Sequence, residues 1–399
     1  MTHRGGHAVV LGAGIGGLLT ARVLTDFYDR VTVLERDALD AAATTQRGMP
    51  RSRQPHMVPA RCGQIVEELF PGVTEEMVAA GAHLWADGDL SRMYTRVGGR
   101  PVTRLGPLPD LSGPAVLFAG RPFVEGHVLS RVRTLPGVAV LDRHDAGPLM
   151  WRGEVVTGVQ AAGGRGTQDL PADLVVDATG RGSRTPAFLE CLGYRRPPEE
   201  RLTVHANYVS MPVRIPDGLL HELMFLDMLT RSRPLGFIMS RCENDQWNML
   251  VGTRGSNAAA APASVAEMFR CAEQLMPPHA VGALRTAEPL GDVALHRFPG
   301  SMWRRYDKLD RVPRGLLVTG EAVCSISPIY GQGMTVAALC AVTLRECLRR
   351  GEHLPPRHFH RAAAKRVKRP WRRAVVSDRP DPESEGLQPF PAGMIAAMA

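Results

Sequence analysis

Three glycines with a characteristic spacing follow the first apolar segment of the sequence. Residues 8–11 (AVVL) predict a short strand, and the next segment, GAGIGG, contains Gly12, Gly14 and Gly17. Gly12 permits a tight turn, Gly14 lets the backbone approach a pyrophosphate, and Gly17 lets the following helix pack against the sheet. The spacing therefore predicts a helix whose N-terminus binds phosphate groups.

An acidic residue ends the second predicted strand. Residues 31–34 (VTVL) form that strand, and Glu35 follows it 23 positions after Gly12. A carboxylate at this place accepts hydrogen bonds from ribose hydroxyls and repels a 2′-phosphate, which disfavours NADP. The complete strand, turn, helix and strand predict a dinucleotide site, and both FAD and NAD stay open at this point.

A second glycine-rich turn occurs near the far end of the chain. The segment LLVTGEAVCSISPIYGQGMTVAAL predicts a strand before Glu321, a turn at Pro328, and a helix that opens with Gly331 and Gly333. Backbone N–H groups and a helix dipole at such a turn point toward an electron-rich group. The edge of an isoalloxazine ring becomes anionic when the flavin is reduced. This second turn therefore favours FAD over NAD.

Composition and charge restrict the class of protein. The 399 residues are 44% hydrophobic and 22% charged, which is typical of a globular chain, and their number predicts two lobes. The formal net charge of +8 permits a polyanionic partner, but the arginines are scattered except at 361–373 (RAAAKRVKRPWRR). We interpret this run as a solvated helix face or an anionic-ligand rim, and we expect no nucleic-acid partner.

The cysteines and the N-terminal sequence indicate a reducing compartment. Seven cysteines are present, and none forms a CxxC pair, so neither a zinc site nor a disulfide framework is predicted. The first residues lack a secretory signal pattern, and glycines interrupt the apolar stretch at 8–24. We expect a cytoplasmic protein without a metal and without stable membrane insertion.

The remaining patterns predict an α/β fold with two lobes and C-terminal helices. Strand-like runs at 138–143, 154–160 and 172–180 are expected to return to the nucleotide-binding sheet. Alternating runs within 203–253 predict an antiparallel sheet, which we interpret as a substrate lobe. The expected domains are a Rossmann-like FAD-binding domain at 1–85, 119–196 and 306–350, a substrate lobe at 86–118 and 197–305, and a basic helix with an irregular tail at 351–399.

The two glycine-rich turns and the segment DLVVDATGRGS between them resemble FAD-dependent monooxygenases of the aromatic-hydroxylase fold. More narrowly, the chain is similar to an actinobacterial branch that includes polyether and terpenoid epoxidases. Other matching stretches include GRPFVEGHVLSRV and RGMPRSRQPHMVPARCGQIVEELFPGV, and together they span most of residues 8–350. The resemblance implies that a flavin C4a-hydroperoxide transfers one oxygen atom to an apolar alkene or an electron-rich ring.

The resemblance also implies a set of cofactor-binding residues. Those expected at the adenosine diphosphate are Gly12, Gly14, Gly17, Glu35 and Arg36. Arg47 is expected at the flavin and pyrophosphate region, Arg121 at the flavin chain, and Asp177 in a loop that supports the fold and the phosphates. Glu321 would hold the ribityl hydroxyls. Those expected at the flavin ring are Pro328 beside the reactive carbon, and Gly331, Gly333 and Met334 through backbone N–H groups.

One of these residues departs from the family pattern. Relatives usually have Asp where this chain has Glu321. The extra methylene moves the carboxylate by roughly 1.5 Å, about one C–C bond length, so its contact with the ribityl hydroxyls must be re-aimed.

No catalytic side chain is assigned. Pro328 and Tyr330 are flavin-adjacent candidates, while His56 and His205 are candidate polar groups of a pocket, although a lone histidine is more often structural. Segments such as MFLDML and GFIMS favour a broad apolar pocket, because Met fills irregular spaces. The expected reactants are a polyketide- or terpenoid-like apolar molecule, molecular oxygen, and electrons from NAD(P)H or a partner flavin reductase.

Alternative functions stay open beside the monooxygenase. Halogenases share the expected fold, but the W-x-W-x-I-P segment that characterises them does not occur in this sequence. A FAD-dependent reductase or dehydrogenase is a second alternative. A flavin-binding protein without oxygen chemistry is a third.

Overall fold

The computed structural model describes residues 5–39, 54–97, 99–102, 115–164, 166–229, 235–254, 261–351 and 355–378. Its helices are α1 Ile15–Leu24, α2 Ala60–Leu69, α3 Val73–Ala79, α4 Arg121–Arg133, α5 Thr185–Cys191, α6 Val265–Leu275, α7 Pro278–Arg285, α8 Gly333–Arg349 and α9 Pro356–Asp378. Its strands are β1 Gly5–Leu11, β2 Tyr28–Leu34, β3 Met57–Val58, β4 His83–Trp85, β5 Met93–Val97, β6 Arg100–Pro101, β7 Val116–Phe118, β8 Val138–Leu141, β9 Asp145–Arg152, β10 Val155–Gly163, β11 Gly166–Pro171, β12 Leu174–Asp177, β13 Glu199–Arg214, β14 Met224–Met228, β15 Leu235–Arg241, β16 Gln246–Arg254, β17 Glu288–Pro289, β18 Ala294–Arg304, β19 Leu316–Val318 and β20 Cys324–Ser325.

A parallel sheet with the strand order β19-β12-β1-β2-β8 supports both glycine-rich turns. Strands β1 and β12 are apolar and buried over most of their length, as expected for parallel strands covered on both faces. Leu11 at the end of β1 pairs with Asp177, and Asp177 pairs with Val318 at the end of β19. The turns after β1, β12 and β19 therefore leave the same edge of the sheet. This strand order brings two distant parts of the sequence together.

A large sheet with the order β20-β18-β13-β16-β15-β14-β5-β6 forms the second half of the structure. The predicted antiparallel sheet within 203–253 is confirmed for β13, β16, β15 and β14. At its edge, β14 pairs with β5, and these two strands run parallel to each other. One face of this sheet packs on α6 and α7. The other face packs on the small sheet formed by β3, β7 and β4.

Strand β10 contradicts one expectation about the nucleotide-binding sheet. The run at 154–160 was expected in that sheet together with β8 and β12, but β10 pairs antiparallel with β9 and β11 in a separate sheet. Only two residues, Gly153 and Glu154, connect β9 to β10. So short a connection permits a hairpin, whereas a parallel partner would require a long crossover.

Two further elements, α7 and β18, are absent from the predicted pattern. The predicted helix at 264–276 is α6, and the sequence prediction missed α7, which begins after Pro277. The sequence also gave no indication of the long strand β18. The rigid proline at 277 separates the two helices, because its ring fixes φ and removes a backbone donor.

The predicted basic helix is α9, which packs along α8. Its inner side places Phe359, Val367 and Trp371 in the main core. Its outer side carries exposed cations such as Arg361 and Lys365, as expected for a solvated helix face. Among the described residues, no helix combines the length and the apolar character that a transmembrane span requires.

Candidate functional site

The first glycine-rich turn leads from β1 into α1. Gly12 has a φ of +97°, and a Cβ there would lie 2.9 Å from the carbonyl oxygen of Ala178. A Cβ on Gly17 would lie 1.9 Å from the carbonyl oxygen of Gly12. At Gly14, by contrast, the nearest heavy atom to the Cβ position is Glu125 Oε1 at 3.8 Å. Gly12 and Gly17 thus form the turn, while Gly14 leaves space at the helix N-terminus.

Two carboxylates bind backbone amides at this turn. Glu35 Oε2 accepts a hydrogen bond from Ala13 N at 2.8 Å, and its Oε1 accepts one from Asp37 N at 3.0 Å. Glu125 Oε1 accepts a hydrogen bond from Ile15 N at 3.1 Å. The start of a helix carries a partial positive charge, so an anion is favoured there. Glu35 therefore connects the end of β2 to the turn.

Asp177 organises the loop that lies between the two glycine-rich turns. Its carboxylate is buried and accepts a hydrogen bond from Thr179 N at 2.9 Å. It also accepts hydrogen bonds from the hydroxyls of Thr179, Ser183 and Thr185. Asp177 thus faces its own loop, and its contribution to a ligand would be the shape of that loop.

The second glycine-rich turn precedes α8. Residues Pro328–Tyr330 form one 3-10 turn, and Gly331 follows it with a φ of +61°. The N-cap residue Gln332 makes no side-chain capping bond, and a Cβ on Gly333 would lie 3.0 Å from Glu321 Oε1. The first amides of α8 therefore lie beside the Glu321 carboxylate.

Both turns face one cleft with a volume of about 720 Å³. Helices α1 and α8 approach closely beneath it, since a Cβ on Gly16 would lie 3.4 Å from Ala337 Cβ and 3.8 Å from Gly320 Cα. Most of the residues that the sequence predicted for the site line this cleft. They are Gly12, Gly14, Glu35, Arg36, Arg121, Glu321, Pro328, Gly331, Gly333 and Met334, together with the pocket candidate His56.

Three of the remaining predicted residues, Gly17, Asp177 and Tyr330, are not among the described residues that line the cleft. Gly17 packs inside the first turn, and Asp177 faces its loop. The ring of Tyr330 packs against the main core, and Tyr330 is not among the described residues that line the cleft. Arg47 lies outside the described residues. His205 belongs to β13, but its side chain is also outside the described part.

His56 lies at the boundary between the cleft and the large sheet. Its backbone N–H donates to Ser240 Oγ at 3.2 Å, and its ring Nδ1 lies 3.3 Å from the Ala119 carbonyl oxygen. Burial, followed by the positive charge of Arg121, lowers the pKa of His56 to about 4. The ring is therefore neutral near pH 7, so its Nδ1 can donate to the carbonyl.

Sequence reasoning missed several residues that line the cleft. Arg181 and Arg184 follow β12, and a signal was available, because ligands of such sheets bind outside the carboxyl ends of the strands. His296 lies on the unpredicted strand β18, and no local signal marks it. Glu125, four residues after Arg121 on α4, is not among the described residues that line the cleft, but it contacts Arg121 and was also missed, although this spacing places the two side chains on the same helix face. Within the described residues, no cluster of His, Cys, Asp and Glu could hold a metal.

A known protein matches most of this chain, although no protein-family model does. The protein Rv3254 of Mycobacterium tuberculosis is 39% identical over 351 residues, which are 86% of this chain and 73% of Rv3254. The chain belongs to the Rv3254 family. Since that name states no activity, this membership leaves the chemistry of the cleft to be argued from its residues.

Solved flavoenzyme structures share the fold of this Rv3254 relative. PqsL, a probable FAD-dependent monooxygenase from Pseudomonas aeruginosa, superposes with a TM-score of 0.69 at 16% identity, over 94% of each chain. The myxobacterial chondrochloren halogenase CndH gives a TM-score of 0.69 at 18% identity, over 96% of this chain and 85% of CndH. The oxygenase of 2-methyl-3-hydroxypyridine-5-carboxylic acid gives a TM-score of 0.65 at 16% identity, over 94% of this chain and 90% of the oxygenase.

These neighbours confirm the predicted fold. The chain has the fold that FAD-dependent monooxygenases and halogenases share, with a parallel Rossmann-like sheet and an antiparallel sheet. The narrower similarity to actinobacterial epoxidases stays a prediction, as do the proposed domain boundaries.

Proposed function

We propose that the chain binds FAD in the cleft and acts as a FAD-dependent monooxygenase. The observation that carries this proposal is the pair of helix N-termini, those of α1 and α8, that face the same cleft with Glu35 and Glu321 beside them. FAD is a long ligand with an anionic diphosphate and a second electron-rich group in its flavin ring. Two separate helix N-termini suit these two groups, since each favours negative charge.

The polar groups at both glycine-rich turns fit FAD. At α1, Gly14 leaves space for a phosphate to approach the backbone, and Arg121 supplies a positive charge. The Glu35 carboxylate lies at the end of β2, where it would accept hydrogen bonds from ribose hydroxyls. At α8, the Glu321 carboxylate would accept hydrogen bonds from the ribityl hydroxyls. The backbone N–H groups of Gly333 and Met334 would bind the edge of the flavin ring. The Gly331 N–H, which the sequence also predicted for this role, instead donates to the Pro328 carbonyl oxygen at 3.0 Å.

When bound, FAD would supply the redox chemistry and the activation of oxygen. The protein's own groups would bind, orient and exclude water. The amides at the start of α8 would stabilise negative charge at the flavin edge, because such donors are already oriented before the reaction. Pro328 would form part of the wall beside the ring, where its rigid backbone keeps the turn in place.

A cluster of packed apolar side chains lies next to this turn. On β14 and β15, the side chains of Leu226 and Ile238 point to the same face of the sheet and belong to one apolar cluster with Met57 and Met228. The Met57 Cε atom lies 3.6 Å from the Cβ position of Gly331, so this cluster reaches the second glycine-rich turn. We propose an alkene or an electron-rich ring in a polyketide- or terpenoid-like molecule, which flexible Met side chains can accommodate.

Electrons would come from NAD(P)H or from a partner flavin reductase. Epoxidation and hydroxylation both agree with an apolar substrate beside the flavin turn. A halogenase, which the shared fold permits, lacks support from the sequence, because the W-x-W-x-I-P segment does not occur. A role in secondary metabolism in the cytoplasm stays a prediction.

Two measurements test this proposal in sequence. The absorbance spectrum of the purified protein, followed by extraction and identification of the flavin, should show bound FAD. The reduced holoprotein is then mixed with labelled oxygen gas and a panel of lipophilic alkenes, and a product should carry one labelled oxygen atom. Unlabelled reduced products would support the reductase, a halogenated product with added halide would support the halogenase, and FAD without turnover would leave a flavin-binding protein.

A further inference from the structure

One carboxylate oxygen joins the first turn of α1 to Arg121. Glu125 Oε1 accepts hydrogen bonds from Ile15 N at 3.1 Å, from Arg121 Nε at 3.1 Å and from Arg121 Nη2 at 3.0 Å. The side chain of Glu125 is only 12% exposed, and Arg121 lines the cleft. The same oxygen lies 3.8 Å from the Cβ position of Gly14. Glu125 thus borders the space in which the FAD diphosphate is proposed to bind.

Electrostatics alone would make Glu125 unfavourable for an anionic ligand. The charge of Glu125, more than that of Glu321, raises the pKa of Arg121, so the guanidinium is always charged. Glu125 also offsets the partial positive charge at the start of α1. A diphosphate would therefore be attracted more strongly if Glu125 were neutral. An acid at this place requires a different role if the site binds a diphosphate.

We propose that Glu125 is a positioning residue for FAD, an inference that rests on the proposed FAD binding. Its carboxylate fixes the Arg121 guanidinium at the cleft and holds the Ile15 amide, so that both donors are oriented before the ligand arrives. An arginine side chain has many rotamers, and ordering it in advance reduces the entropy that ligand binding must otherwise overcome. Removing Glu125 should therefore weaken FAD binding, although it removes a negative charge from an anion site.

A double-mutant cycle on FAD affinity tests this role. Apoprotein of the parent, Glu125→Ala, Arg121→Gln and the double variant is titrated with FAD, and the quenching of flavin fluorescence gives each Kd. We expect Glu125→Ala to raise the Kd by about tenfold in the parent, the range for hydrogen bonds to charged groups, and to change it little in the Arg121→Gln background. Glu125→Gln keeps an acceptor for Ile15 N–H and should raise the Kd less than Glu125→Ala.

A matched control removes a comparable ion pair away from the cleft. Asp26→Ala eliminates the pair between Arg22 and Asp26, which has the same i,i+4 spacing and lies at the other end of α1. Its FAD affinity should equal that of the parent. Thermal melting of each apoprotein checks folding, and if Glu125→Ala does not fold, the cycle is measured with Glu125→Gln.

The outcomes separate the positioning role from the proposed function. A Kd effect of equal size in both backgrounds would show that Glu125 does not act through Arg121. Tighter FAD binding in Glu125→Ala would show that its charge merely repels the ligand, and either result overturns the inference. A parent protein that binds no FAD would instead overturn the proposed function.

Discussion

The two helix N-termini at the cleft differ in how their backbone amides are satisfied. At α1, the carboxylates of Glu35 and Glu125 already bind amides of the first turn. At α8, the N-cap residue Gln332 makes no side-chain capping bond, and Glu321 lies beside the turn. The α1 end is therefore ordered by these two carboxylates, whereas at the α8 end the Gly331 amide is bound within its own turn, by the Pro328 carbonyl oxygen. A change that disturbs the packing inside the first turn, as at Gly17, should affect the fold, and a change at Gly14 or at Glu321 should affect mainly the ligand.

The largest expected effect is the loss of the folded state on Gly17→Ala. The new Cβ would lie 1.9 Å from the Gly12 carbonyl oxygen, which is backbone and cannot move without opening the turn. We expect the free energy of unfolding to fall by more than about 3 kcal/mol, measured by urea denaturation. Gly126→Ala is the control, since no atom lies within 4 Å of its Cβ position. Equal stability of Gly17→Ala and the parent would contradict the tight packing of this turn.

Gly14→Val separates ligand binding from folding at the same turn. Its Cβ position is 3.8 Å from Glu125 Oε1, and Gly14 has an extended backbone with φ −68° and ψ 172°, which valine can adopt. We expect a folded protein, shown by an unchanged thermal transition, that retains no FAD because the side chain blocks the phosphate. Unchanged FAD occupancy would reject the placement of the diphosphate at α1.

Glu321 tests the second glycine-rich turn. Glu321→Ala should weaken FAD binding by roughly 1–3 kcal/mol, the range for a hydrogen bond to a charged group, with little change in the stability of the apoprotein. Glu321→Asp should bind FAD as well as the parent or better, because the resemblance to FAD-dependent monooxygenases implies Asp at this position. Isothermal titration gives both affinities. An unchanged affinity in Glu321→Ala would remove the proposed contact with the ribityl hydroxyls.

The smallest expected effect concerns the pH dependence of stability through His56. The pKa of His56 in the folded protein, about 4, lies below the ordinary value of 6.5. Between pH 6.5 and pH 4, the imidazole therefore binds a proton in the unfolded chain but not in the folded protein. The associated stability is complete above pH 6.5 and is lost as the pH falls toward 4. At pH 5.5 this loss is about 1 kcal/mol.

His56→Gln should abolish that part of the pH dependence. Urea unfolding at pH 7 and at pH 5.5 gives the loss for both proteins, and the variant should lose about 1 kcal/mol less than the parent. The same loss in both proteins would mean that another group takes up the proton. His360→Phe is a useful comparison, since burial also lowers the pKa of that histidine, to about 3, but on α9.

The sequence by itself determined the fold class and the first glycine-rich turn. The residues that identify this turn lie within one short segment: Gly12, Gly14, Gly17 and Glu35. The positions of the glycines, the length of the strand and the periodicity of the helix are all local properties of the chain, so they can be recognised in the sequence. The strand β10 shows the limit of such reasoning. Its residues predict a strand, but the choice of β9 and β11 as partners depends on the connections around it.

Only the tertiary structure decided which side chains meet at the cleft. The order β19-β12-β1 brings the ends of three strands to one edge, and that order is a property of the whole sheet. It places Glu125 of α4 against the start of α1, and the partly buried Tyr330 packs against the main core although Pro328 lines the cleft. The direction of a side chain depends on the neighbours that pack against it, and those neighbours come from distant parts of the sequence.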